Sequence, residues 1–310
     1  MVDKGLIIRS TGLWYDVKNE DTGEVYKGRL RGKLKLKGYK LTNPIAVGDY
    51  VEYQLEDEAE GTVLITKIIE RQNFIVRQST RKRWHGHMIA ANIDQALLIV
   101  TLSMPRTSLG FIDRFLVAAE SSDVPTIIVF NKADLLTEDD LALHEYLKSL
   151  YESLGYQTIL ISALEKRNLE GINDILKGKK SLVAGHSGVG KSTLLNAIAP
   201  KYNQKTAEVS SFANKGVHTT TFAEMFEIEQ STYLIDTPGI KELGIMGLEE
   251  NQLGFYFPEI RALAESCKYY NCSHTHEPGC AVVAAVERQE ITPNRYHSYL
   301  SILEGGDNRR

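Results

Sequence analysis

The chain is poor in cysteine. Its only three, Cys267, Cys272 and Cys280, fall in one short stretch of the 310 residues. An odd, clustered set excludes a disulfide framework and points to metal or redox chemistry. Long apolar runs are also missing. The longest, ALLIVTLSM (Ala96–Met104), is far short of the ~20 residues a membrane span requires. The opening MVDKGLIIRSTGLWYD is charged too early, and apolar too briefly, for a secretory signal. A cytoplasmic protein with no membrane partner is expected. Excess positive charge is lacking too: the net formal charge is −4, so the chain as a whole is no basic nucleic-acid binder. The composition, 43% hydrophobic and 25% charged, is that of a globular protein long enough for two or three domains.

Organisation changes along the chain. Residues 1–75 hold short alternating runs (GLIIRS, VGDYVEYQL, GTVLITKII) between Gly and Asp turns. They predict a small β-barrel of the OB type. The basic stretch RQSTRKRWHGH has no period, so residues 76–89 read as a linker. Over 90–246 the apolar runs Ala96–Thr101, Thr126–Phe130, Thr158–Ile161, Ser181–Ala184 and Tyr233–Ile235 alternate with helix-like segments such as Leu141–Leu154. That βαβ pattern predicts a mainly parallel sheet covered by helices. Residues 247–310 are mainly helical in pattern and contain the cysteines. The expected fold is a multi-domain α/β protein: OB-like barrel, nucleotide domain, and a mainly α metal-binding domain.

The stretch GHSGVGKST supplies Gly185, His186, Ser187, Gly188, Val189, Gly190, Lys191, Ser192 and Thr193. It matches the P-loop pattern, with an apolar run before it and a helical one after. Glycines let backbone N–H groups curl around phosphates. Lys191 sets a positive charge against the β- and γ-phosphates, and the Ser192 hydroxyl binds Mg²⁺. A second element, LIDTPG, ends an apolar run in Asp236 and places Gly239 to sense a γ-phosphate. Between the two, NKGVHTTTF offers Thr220, with Thr219 and Thr221 as rivals, to complete the Mg²⁺ shell.

A base reader precedes this cradle. NKAD follows TIIVF: Asn131 supports the loop, the Lys132 stem covers the ring, and the Asp134 carboxylate accepts from guanine N–H groups. Such a hydrogen-bond site rejects an analogue lacking the donor by ~10⁴-fold or more. Ser162, Ala163 and Leu164, after TILI, are placed to cap the base. Familiar GTP-binding chains run cradle, switch, DTPG, reader, cap. Here the order is reader, cap, cradle, switch, DTPG. Joining the old ends and opening the chain after DTPG converts one into the other.

In CKYYNCSHTHEPGC, Cys267, Cys272, His274 and Cys280 form a set suited to tetrahedral zinc of the structural kind, with His276 a rival for His274. In KGRLRGKLKLK, Lys27, Arg29, Arg31, Lys33, Lys35 and Lys37 recur at every second residue, which on a strand puts them on one face. Residues 1–90 hold 16 Lys+Arg against 12 Asp+Glu, a net of +4 where the remainder carries −8. A basic barrel face is an RNA footprint, which Arg77, Arg81, Lys82, Arg83 and Trp84 would extend.

With these motifs in this order, the sequence resembles the circularly permuted GTPases. The barrel, IAANIDQALLIVT and the Cys/His cluster narrow the resemblance to the ribosome small subunit-dependent GTPase A family (RsgA, also YjeQ or EngC). It covers nearly the whole chain. It implies Mg²⁺-dependent GTP hydrolysis stimulated by the small ribosomal subunit during late maturation, rRNA contacts through barrel and zinc domain, and one structural zinc on the four ligands above. A monomer is expected. Ile240 stands where many GTPases carry a water-positioning glutamine, a substitution the family shares. His218 is the polar candidate for that task, so the catalytic set is Lys191, Thr220 and His218. A permuted GTPase of the large subunit or an organelle, and an RNA-binding factor with a silent GTP site, are the competing readings.

Overall fold

The computed structural model describes residues 2–32, 40–41, 43–57, 59–78, 85–200, 223–236 and 250–305. The first unit is a closed five-stranded barrel: β1 (Asp3–Ser10), β2 (Tyr15–Asn19), β3 (Val25–Leu30), β5 (Tyr50–Asp57) and β6 (Thr62–Ile68). β1 pairs with both β2 and β5, and β3 runs parallel to β6, which closes the ring. Alternation builds its interior. Tyr15 and Val17 of β2 point inward with Ile7, Val51, Tyr53, Val63 and Ile65, all at most 1% exposed. The OB-like expectation therefore holds.

The stretch expected to be a linker carries strand at both ends. β7 (Phe74–Gln78) and β8 (His85–Ala91) form an antiparallel pair, and the short β4 (Lys40–Leu41) joins β8 in parallel. Periodicity hides this hairpin because its register shifts between Ile75 and Val76, which breaks the alternation. Residues 79–84, including Arg81, Lys82, Arg83 and Trp84, lie outside the described residues.

The nucleotide domain is built on β9 (Gln95–Val100), β10 (Thr126–Phe130), β11 (Gln157–Leu160), β12 (Lys180–Ala184), β13 (Glu224–Glu229) and β14 (Thr232–Asp236). The spatial order is β11-β10-β9-β12-β14-β13, and only the β13–β14 pairing is antiparallel. Alternate residues serve two faces. Leu98, Val100, Ile128, Phe130, Leu182 and Ile235 join a core with α1 (Leu109–Glu120) and α2 (Glu138–Ser153). Leu97, Ile99, Ile127, Val129, Val183 and Leu234 join another with α3 (Leu169–Leu176) and α4 (Lys191–Ile198). Apolar burial on both faces is why these strands read as continuous runs.

β1 also pairs with β13, so barrel and nucleotide domain share one eleven-stranded sheet. Side chains reinforce that seam: the Lys18 ammonium reaches Glu227 and the Tyr233 hydroxyl, and Lys180 reaches the Tyr50 hydroxyl at 3.1 Å.

The C-terminal part contains α5 (Pro258–Ala264), α6 (Ala281–Glu287) and α7 (Pro293–Leu303), packed around Phe257, Ile260, Val282, Ala285 and Tyr299. It is tied to α1. Arg295 Nη1 lies 2.6 Å from Asp113 Oδ1, with side chains only 2% and 1% exposed. The same guanidinium donates to Glu259 at 2.7 and 3.1 Å, and the Tyr151 hydroxyl donates to Asp113. A buried pair survives desolvation only when its remaining donors and acceptors are met, and here several are.

Candidate functional site

Parallel strands deliver the base reader, the cap, the cradle and Asp236 to one edge. Val100, Phe130, Leu160, Ala184 and Asp236 end their strands there, and reader, cap and cradle come directly after their strands. Ligands bind at such carboxyl ends.

Asn131 is the joint between three segments. It is 3% exposed. Its amide nitrogen donates to Val189 O of the P-loop at 2.9 Å, and its amide oxygen accepts from Ala163 N at 3.0 Å. Sequence reasoning gives Asn131 a supporting part; the structure brings reader, cap and cradle together through that one side chain. Lys132 adopts a left-handed backbone, φ 67°, and its ammonium donates to Met104 O. Asp134 accepts a hydrogen bond from the Ser162 hydroxyl. Sequence reasoning places Ser162 in the cap and misses this side-chain link. It fixes the carboxylate's orientation.

The cradle has the conformation its glycines allow. Gly185 has φ +145° and Gly190 φ +95°. A Cβ would stand 2.3 Å from Ile99 O at Gly185, and 2.4 Å from Asn131 Nδ2 at Gly190. Neither position admits a larger residue. The Lys191 ammonium donates to Gly185 O and His186 O, both at 2.7 Å, which holds it inside the loop. Gly190 caps α4, so Ser192 and Thr193 lie in that helix's first turn, where orphan N–H groups and the helix dipole favour an anion. Ser187 and Gly188 occupy the turn between, Gly188 facing the Pro105 ring. Asp236 ends β14, level with Val183 of the cradle strand, so its carboxylate belongs to the same edge. His218, Thr219, Thr220, Thr221, Gly239 and Ile240 lie outside the described residues.

The cysteine cluster assembles as a second site. One ligand atom each from Cys267, Cys272, His274 and Cys280 lies within 4.8 Å of the others. His274 Nδ1 is 3.5 Å from Cys267 Sγ and 3.6 Å from Cys280 Sγ, and the two sulfurs are 4.0 Å apart. Tetrahedral zinc with ordinary bond lengths sets ligand atoms about 3.5–3.8 Å apart, so this donor set fits the ion. His276 is outside the cluster, exposed, with Nδ1 on the Thr275 hydroxyl. Burial, with Cys280 and Cys267 alongside, pushes the Cys272 thiol up to about 12. Burial also lowers His274, favouring the neutral ring that ligates. The loop is braced from outside. Glu277 accepts from Ser273 N, Thr275 N and His276 N, while Tyr296 and Tyr299 donate to His274 O and Ser273 O.

On the barrel, Lys27 and Arg29 are exposed on β3 as period two requires, with Gly28 buried between them. They are not unopposed: Lys27 pairs with Asp16 of β2, and Arg29 with Glu56 of β5. No acid lies between them in sequence; Asp16 comes from the adjacent strand β2, and Glu56 from β5, one strand beyond β6. Arg31 is exposed just beyond β3. Lys33, Lys35 and Lys37 lie outside the described residues.

An Asn131→Ala variant leaves Val189 O and Ala163 N without their partner. The expected loss of stability is about 2–4 kcal/mol, read from urea unfolding. An unchanged midpoint would mean that the joint is not structural.

Comparison with known proteins agrees with this geometry. The family model for the RsgA GTPase matches residues 68–246, and that for the RsgA N-terminal domain matches residues 4–63. A small ribosomal subunit biogenesis GTPase RsgA of Bacteroides fragilis is 50% identical over 301 residues, 97% of this chain and 96% of that protein. One of Cytophaga hutchinsonii is 49% identical over 307 residues, 99% and 100% of the two chains. Among solved structures, YjeQ from Thermotoga maritima superposes with a TM-score of 0.78 at 35% identity, covering 100% of both chains. YloQ, a circularly permuted GTPase, gives 0.75 at 32%, covering 100% of this chain and 96% of that one. With its reader and cap ahead of its cradle on one sheet edge, the chain belongs to the RsgA family of circularly permuted GTPases.

Proposed function

We propose that this GTPase acts in biogenesis of the small ribosomal subunit, and that the subunit stimulates its hydrolysis of GTP. The relatives named for that process span nearly the whole chain, barrel and C-terminal domain included. The observation that carries the nucleotide reading is the Asn131 joint, which holds base reader, cap and phosphate loop at one site. Asp134, set by Ser162, accepts from the guanine edge, with the Lys132 stem on the ring face. Gly185–Thr193 wrap the phosphates, and Lys191 balances charge on the β- and γ-oxygens. Ser192, Thr220 and Asp236 would hold Mg²⁺, which would supply further charge stabilisation to the transferring phosphoryl group. Gly239 senses the γ-phosphate.

His218 orients the attacking water, because the aliphatic Ile240 has no group to do so. The weak point of such a site is water placement, and this is the part an activator can complete. Activation by a bound RNA surface fits that division of labour. Lys27 and Arg29 of β3, with Arg31, Lys33, Lys35 and Lys37 after it in sequence, contact rRNA, and Cys267, Cys272, His274 and Cys280 would hold one structural zinc in the C-terminal domain.

Three outcomes are expected. Hydrolysis of GTP by the purified chain rises at least tenfold, an order-of-magnitude expectation for completing a catalytic site, with small subunits and not with large ones or with ATP. A rise with large subunits alone would sink the proposal. Asp134→Asn turns an acceptor into a donor, so GTP binding falls and XTP, with a carbonyl in place of the amino group, binds better. Metal analysis finds one zinc per chain. Its removal by a chelator, or Cys272→Ser, loosens the C-terminal helices in amide exchange while GDP still binds.

A further inference from the structure

Helix α1 carries none of the nucleotide motifs, yet it is buried on opposite sides. Residues two apart on a helix point roughly 200° from one another. Phe111 and Phe115 lie in the core against the sheet. Asp113 and Val117 face the C-terminal domain, Asp113 through Arg295 and Val117 within the apolar cluster around Phe257 and Tyr299. The helix thus lies between two bodies and touches both with buried groups.

At its first turn α1 meets the P-loop. The Phe111 ring stacks on the His186 ring, centroids 3.7 Å apart and planes inclined by 35°. Phe111 is 4% exposed, fixed by the core around it. His186 in turn supplies one of the two carbonyls that hold the Lys191 ammonium. Two residues along, Asp113 makes its 2.6 Å contact with Arg295.

We propose that Phe111 is a positioning residue for the phosphate loop, and that α1 carries the docking of the C-terminal domain to that loop through the Phe111–His186 stack. The inference rests on Gly185–Thr193 being the phosphate site. Its physical basis is stiffness. A charge-assisted pair tolerates little displacement, and α1, packed on both sides, cannot turn without disturbing either contact. A docked C-terminal domain therefore fixes α1, α1 fixes the ring of Phe111, and that ring fixes His186 and the carbonyl that Lys191 uses. Linkage makes the effect reciprocal: nucleotide that orders the P-loop steadies the Asp113–Arg295 pair by the same factor.

The test uses the full chain, a fluorescent GDP, and amide exchange of α7 with and without GDP. His186→Ala removes a partly exposed ring and should raise the Kd for GDP about 2- to 10-fold, the range of one aromatic pair. His186→Phe keeps the stack and should restore affinity. GDP should slow exchange in α7 of the unaltered chain and of His186→Phe, but not of His186→Ala. Arg295→Lys loses the forked geometry and should weaken GDP from a distance. If that variant does not fold, the two His186 variants decide. Equal affinities for His186→Ala and the unaltered chain, or α7 protection that survives in His186→Ala, overturns the proposal. An unaltered chain that binds no GDP would instead overturn the nucleotide reading itself.

Discussion

Two hydrogen bonds from one buried amide organise this molecule. Asn131 donates to Val189 O and accepts from Ala163 N, so three loops far apart in sequence become one site. The amide is well suited because it offers a donor and an acceptor about 2.3 Å apart on a planar group, and a carboxylate or ammonium offers only one kind. Everything else in the domain presents loops to that joint. All the strands of the nucleotide domain but β13 run parallel, so that their carboxyl ends coincide. The glycines at 185 and 190 exist because Ile99 O and the Asn131 amide stand where a side chain would go.

This also explains why chain order is free to change. The joint is made in space, across a sheet whose neighbours are set by apolar packing on both faces. Cutting the chain after one strand and rejoining it elsewhere alters which loops are connected and leaves the strand order β11-β10-β9-β12-β14-β13 intact. Permutation does change the destination of the chain beyond Asp236. From that strand it leads into the C-terminal domain, which itself packs back on α1 through Arg295.

Much of this is legible in the sequence, for identifiable reasons. The P-loop pattern, NKAD and the Cys/His cluster are short local patterns, so their spacing can be read directly from the sequence. The barrel and the sheet declare themselves through period-two alternation and through runs buried on both faces. Pairings between distant residues are not legible. Asp113 and Arg295 are 182 positions apart, and each looks like an ordinary surface charge in its own helix. Asp16 and Glu56 are silent in sequence, yet they pair with Lys27 and Arg29 on the barrel surface. The β7–β8 hairpin hides behind a register shift. The Ser162–Asp134 bond is invisible because the small residue it needs is common in any turn.

The continuous sheet has a further meaning for solubility. An open sheet ends in unpaired N–H and C=O rows that invite another chain to add a strand. On one side the barrel strand β1 meets β13 at the Arg9–Glu224 pair, so the protein's own first domain abuts that edge. On the other side the last strand is β11, only four residues long and opened by an exposed Gln157. Among the described residues, the free margin at β11 is thus short and polar-fronted, which disfavours strand addition there.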